Sequence, residues 1–246
     1  MHGTARKPID ALLLRLGQHD KLSDSERQVL QAAFGPPESL TRGQDLISEG
    51  DEPEGSTLIL EGMSFRYRTL EDGRRQIVSL HIPGDFVDLH SFMLKRMDHS
   101  VGALSDCTIS RVSHDTLRAV TEDYPHLTRL LWLMTLVDNA IVREWLVGIG
   151  RRSATERMAH LICELQLRLR AVERNGENGF ELPVTQADLG DMLGLSLVHT
   201  NRVLRYLREQ RLVLWEGQRV RVLDRPGLER LAGFDDTYLH RVRRPR

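Results

Sequence analysis

The sequence is short of cysteine, short of aromatic residues and without an excess of either charge. Its two cysteines, Cys107 and Cys163, stand far apart in 246 residues. That excludes a disulfide framework and a four-thiolate metal cluster, and it suits a reducing cytoplasm. No apolar run approaches the roughly 18–20 residues of a membrane span, so a soluble chain with no membrane partner is expected. The opening MHGTARKPIDALLLRLG has a short apolar patch but no small-residue cleavage site, unlike a secretory signal. A net charge of −1 excludes a uniformly basic nucleic-acid coat and leaves room for a local patch. Arginine does cluster: Arg202, Arg205, Arg208 and Arg211 face Glu209 alone between Leu197 and Arg211. The end, LHRVRRPR, is basic too, and a solvated tail is its expected role.

At about 100–200 residues per domain, two domains are expected. Residues 9–34 read as helical, with Ser23 and Glu26 in a capping-box pattern. From about 40 to 115, glycines punctuate short β-branched runs such as STLILEG and QIVSLHI. Turn signals every 8–12 residues or so mark an antiparallel sandwich or barrel, and Asp72–Gly73 between two such runs marks a hairpin. After Pro125 the period becomes helical to about Gly150. Leu127, Leu130, Leu131, Met134, Ile141 and Trp145 form one stripe, and Trp132, Leu133, Leu136 and Val147 a second face. A helix apolar nearly all round needs cover on two sides, and a twin copy is the simplest second partner. The first stripe is expected to be that dimer contact, with Asp138 fixing its register; the alternative is the core of a monomer. Ser153 and Glu156 then open another helix across a domain boundary, and AVERNGENGFELP reads as a polar loop.

The stretch VTQADLGDMLGLSLVHTNRVLRYLREQRLV, 184–213, carries the functional signal. Thr185 caps a helix to about Leu193 with Asp188 three residues on, Gly194 breaks it, and Ser196 caps the next. At 100° per residue, Thr200, Val203, Leu204 and Leu207 form a core face of the second helix. Leu197, Val198, Asn201, Arg202 and Arg205 face the other way. Arginine pairs with guanine O6 and N7, asparagine with adenine, and apolar side chains meet the thymine methyl, so this face suits a DNA groove. His199 lies at the flank, where a phosphate contact is expected. LVLWEGQRVRVL then reads as a hairpin around Glu216–Gly217, with Val220 and Val222 inward and Arg219 and Arg221 outward toward phosphates. Helix, turn, helix and wing make a winged helix-turn-helix.

With these motifs the chain resembles the cyclic-AMP receptor protein/fumarate–nitrate regulator superfamily of bacterial transcription factors. The resemblance covers GDEPEGSTLILEGMSFRYRTLEDGRRQIVSLHIPGDFVDL, the long helix to Gly150, and the winged segment. It implies an α+β fold: N-terminal helices with a cyclic-nucleotide-binding-type β-roll (1–123), a dimerisation helix (124–151), a winged helix-turn-helix (152–230) and a tail (231–246). It also implies a cytoplasmic homodimer on an inverted-repeat operator, with RNA polymerase as a further partner if the chain activates. Arg202 matches the family's base-reading arginine. Leu197 and Val198 depart, standing where many members carry Arg or Ser followed by Glu.

The sensor departs further. Cyclic-AMP-binding members resemble Gly-Glu-Leu followed later by Arg-Ser; here Asp88–Leu89–His90 and His99–Ser100 replace them. An uncharged imidazole without a bidentate fork is a poor substitute for the arginine that meets a cyclic phosphate. Cyclic AMP is therefore not expected. That leaves either an unidentified effector near Asp88, His90, His99 and Ser100 or DNA binding without one. His81, His90, His99 and Asp88 are residue types of a metal or haem site in no recognised spacing, so ordinary histidines, with no metal or cofactor, are expected. Cys107 reads as a small buried hydrophobe. A metal-dependent small-molecule enzyme on the β-roll and a DNA-free effector-binding adaptor are the alternatives. The winged domain speaks against the first and the outward Arg and Asn face against the second, so no enzyme activity is expected.

Overall fold

Helices in this chain start where side chains meet the bare amides of the first turn. Ser23 accepts from Glu26 N while Glu26 receives Ser23 N, and Ser153 and Glu156 repeat the exchange. Such a cap contributes about 1 kcal/mol. The computed structural model describes residues 9–174 and 179–245, and the chain divides into two compact units. One holds the chain up to Phe65, His81–Leu136 and the basic end from Arg241; the other holds Arg66–Leu80 and Val137–His240. No helix among the described residues is long and apolar enough to cross a membrane.

In chain order the elements are α1 (Asp10–His19), α2 (Asp24–Ala33), β1 (Glu38–Leu40), β2 (Asp45–Ile47), β3 (Gly55–Glu61), β4 (Ser64–Thr69) and β5 (Arg75–His81). A single turn α3 (Ser91–Leu94), β6 (Ser100–Ala103), β7 (Cys107–Ser113), α4 (His114–Asp123) and α5 (Pro125–Arg151) follow. The strands form two sheets, ordered β1-β7-β3 and β2-β6-β4-β5. Period-2 alternation on β3 sends neighbouring side chains to opposite faces. Ile59 joins Ile47, Val101 and Ile109 in one core, and Leu58 and Leu60 join Leu12, Leu16, Leu127 and Leu130 in the other. The hairpin expected at Asp72–Gly73 is β4–β5, with Gly73 at φ 82°, where a side chain is strained.

The structure corrects the reading of α5. Leu127, Leu130, Leu131, Met134, Ile141 and Trp145, the stripe expected at a dimer contact, are all buried within their own chain. Asp138, expected to fix a register between subunits, pairs with Arg66 of its own chain. The face left open carries Trp132, 65% exposed, Leu136 and Leu146. The basic end is exposed from His240 to Pro245, as a solvated tail should be, while Arg243 donates to the Gly17 carbonyl and Arg244 N to the His19 carbonyl.

The second unit contains α6 (Ala154–Ala171), β8 (Phe180–Glu181), α7 (Gln186–Leu193), α8 (Leu197–Glu209), β9 (Val213–Glu216), β10 (Arg219–Val222) and α9 (Arg225–Ala232). Part of the stretch read as a loop is strand β8, which pairs with β10; residues 175–178 of that loop lie outside the described residues. At the centre of the unit Glu164 is fully buried. It accepts from Trp145 Nε1 at 3.1 Å, Arg168 at 3.0 Å and the Tyr238 hydroxyl at 2.9 Å. Burial and the Glu164 carboxylate push the Tyr238 phenol up, which keeps it a donor. Glu164→Gln removes the carboxylate with which the buried Arg168 guanidinium pairs. A loss of about 3 kcal/mol is expected in urea unfolding, and pairing Glu164→Leu with Arg168→Met is expected to cost less.

Candidate nucleic-acid interface

The two helices of the motif are built as their local sequence dictates. Thr185 and Asp188 form a reciprocal capping box at the start of α7, and Gly194 ends it in the left-handed region at φ 63°. Ser196 then caps α8 by accepting from His199 N. Thr200, Val203, Leu204 and Leu207 are buried, as the helical period requires. Opposite them Leu197 (55%) and Val198 (71%) stand open, with His199, Arg202 and Arg205 also exposed. Asn201 is half-buried, and its amide donates to the Leu197 carbonyl one turn back at 3.1 Å. An adenine contact therefore requires that amide to turn outward.

The wing is β9 and β10, with β8 as a third strand. Val220 is buried and Arg219 exposed, as the alternation predicts; Val222 and Arg221 are half-buried. Arg219 lies in register with Glu216 on one side and Glu181 on the other. Cross-strand carboxylates at this range compete with a phosphate for its guanidinium.

Contacts that local sequence did not announce hold the motif from behind. Arg75, on β5 and in the same unit, donates to Asp188 at 2.7 Å and Asp191 at 2.8 Å, and Gln76 donates to the Asp191 carbonyl. Burial pushes the Asp188 carboxyl up, but its bonds from Thr185 and Arg75 outweigh this and leave it below the ordinary carboxylate range. Arg157 donates to the Leu193 carbonyl and satisfies the C-terminal end of α7. The signal in the sequence was only an Arg–Arg–Gln run in the hairpin, with no indication of its partner.

The proposed effector residues do not form one pocket. The sensor unit has an open cavity of about 650 Å³, and of the four only Asp88 lies on its wall. Asp51, Glu52 and Glu54 join it there against Arg111, which pairs with Glu38 at 3.7 Å. The Asp88 carboxylate is taken by Thr57, through backbone N at 2.5 Å and hydroxyl at 3.2 Å. Ser100 Oγ accepts from Glu49 N. His90 and His99 lie close together elsewhere, their rings tilted by 32°, while His81 is buried on β5. Cys107 and Cys163 are both buried free thiols; burial pushes the first up and the second to about 12, so neither is a ready thiolate.

Gly190 sits where the two helices meet. A Cβ there would lie 2.7 Å from the Leu195 carbonyl oxygen, a backbone atom that cannot step aside without moving the turn. Gly190→Ala is expected to cost about 1–3 kcal/mol by overpacking and to weaken specific duplex binding at least about tenfold, read by thermal melting and by fluorescence anisotropy.

Comparison with known proteins agrees with this geometry. Residues 156–231 match the Crp-like helix-turn-helix domain, and residues 37–124 the cyclic nucleotide-binding domain. The chain is 32% identical to the transcriptional activator protein FnrL of Cereibacter sphaeroides, over 80% of each chain. It is 29% identical to the nitrogen fixation regulation protein FixK of Azorhizobium caulinodans, over 81% of this chain and 80% of that one. The solved structure of FixK2 from Bradyrhizobium japonicum superposes with a TM-score of 0.74 at 26% identity, covering 81% of this chain and 98% of its own. With a sensor-type β-roll, a long helix and a helix-turn-helix whose outward face carries Arg202 and Arg205, the chain belongs to the cyclic-AMP receptor protein/fumarate–nitrate regulator family of transcription regulators, which are not enzymes.

Proposed function

We propose that this regulator reads an inverted repeat as a homodimer, with α8 of each copy in a major groove and half-site centres about one helical turn apart. The observation that carries the reading is the exposed face of α8, where Leu197, Val198, Arg202 and Arg205 stand clear of the buried Thr200, Val203, Leu204 and Leu207. A merely solvated face has no use for two adjacent apolar side chains, whereas thymine methyls do. The names of the relatives carry activation, and with it a contact to RNA polymerase, into the same proposal. The acidic lining of the sensor cavity supports control by something other than cyclic AMP.

Arg202→Ala is expected to cost about 1–3 kcal/mol on the operator and to relax discrimination at one base pair. Arg205→Ala should weaken operator and random DNA alike and reduce the salt slope by about one. Titrations of both duplexes at several salt concentrations separate the two, and equal losses from both variants on both DNAs would remove Arg202 as a base reader.

The subunit contact belongs to the open face of α5. Trp132, Leu136, Asn139, Arg143 and Leu146 follow one another at alternating spacings of four and three, the period of a coiled-coil seam. Asn139, which accepts from Arg143, is the polar residue suited to fixing register. Replacing Leu136 and Leu146 together by Glu sets like charges opposite their copies. Monomers are expected in sedimentation, with the fold kept and operator affinity reduced because each half-site binds alone. The same change at the buried Met134 and Ile141 is expected to unfold the chain instead.

A further inference from the structure

We propose that His90, His99 and Asp98 form a binding site for one divalent transition-metal ion of the zinc kind, with the carboxylate at its open edge. Folding brings together what spacing left apart. One ligand atom from each of the three lies within 4.8 Å of the others, and the two imidazole rings are 5.0 Å apart, tilted by 32°. Around an ion held at ligand distances of about 2.1 Å, donors in tetrahedral array stand about 3.4 Å apart, so small side-chain rotations close the set. Of the residue types weighed for a metal from the sequence, His90 and His99 come together with Asp98 beside them, while Asp88 lines the open cavity and His81 is buried on β5.

The backbone holds the donors in place before any ion arrives. His90 precedes the single turn α3, and Lys95 ends it in the left-handed region at φ 67°, which turns the chain back. Met97 is buried and bonded on both sides, its N to the Asp51 carbonyl and its carbonyl to Gly50 N, so Asp98 and His99 start from a fixed point. Lys95, the nearest lysine in sequence, donates to the Phe92 carbonyl and lies over the Phe92 ring at 5.1 Å.

The donor chemistry agrees with the geometry. Asp98 meets His99 Nδ1 at 2.6 Å. An ion replacing the proton that the two share would take Nδ1 of His99 and the Asp98 carboxylate together. Nε2 of His99 and Nε2 of His90 are both buried. With the Asp98 side chain 77% exposed and that of His99 11% exposed, the ion has one wet side for water ligands. Two imidazoles and one carboxylate suit a borderline ion over calcium or magnesium.

The test uses the full chain, stripped with a chelator and titrated with cobalt(II), whose visible bands report imidazole coordination. One cobalt per chain at micromolar affinity is expected, displaced by zinc. His99→Ala and His90→Ala should each abolish it, and Asp98→Asn should weaken it at least about tenfold, while Lys95→Ala leaves it unchanged. If the histidine variants fail to fold, X-ray absorption of the zinc-loaded wild-type protein decides: a shell of two imidazoles with oxygen supports the site. A sulfur ligand, no cobalt bound, or cobalt retained by both folded histidine variants would overturn it.

Discussion

A carboxylate removed from water is costly unless each oxygen has donors, and the second unit is organised around one such group. Glu164 gathers Trp145 from α5, Arg168 from its own helix and Tyr238 from the turn after α9. Apolar packing is tolerant of sliding, but three directed bonds to one anion are not. Trp145, near the C-terminal end of the long helix, is thereby bonded to the helix that packs behind the DNA-reading motif. Arg168 also donates to the Leu80 carbonyl, so the β4–β5 hairpin in the same unit is tied to the same group.

That constraint explains why the outward face of α8 can be so plain. The motif needs no internal ion pairs to hold its shape, because Arg157 and Arg75 grip α7 from behind and the buried face of α8 locks it to its neighbours. Leu197, Val198, Arg202 and Arg205 are released from structural duty. The same division runs along α5, where one face belongs to the chain's own core and the other stands open.

Much of this was legible in the sequence, and what was not has a physical reason. Caps and breakers act over three or four residues, so Thr185, Asp188, Gly194 and Ser196 announced the motif and Gly73 the hairpin. Apolar periodicity marked two apolar faces on α5, but it carries no label for which of them the chain's own fold buries; the stripe expected at a subunit contact is the one buried within the chain. Arg75 was invisible because its partners lie 113 and 116 residues away. His90 and His99 meet only because a single helical turn and one left-handed residue reverse the chain between them.

The interlacing of the two units has a kinetic side. The chain passes between them after Phe65, Leu80, Leu136 and His240, so the second unit cannot be completed when its hairpin is synthesised. Arg75 must wait through more than a hundred further residues for Asp188 and Asp191, and closing a loop of that length is an entropic cost that local helices do not bear. The winged motif, dominated by short-range contacts, is expected to form first and dock the waiting hairpin last. A nascent chain released before α7 would hold the β4–β5 hairpin in its four-stranded sheet, with Arg75 still short of Asp188 and Asp191.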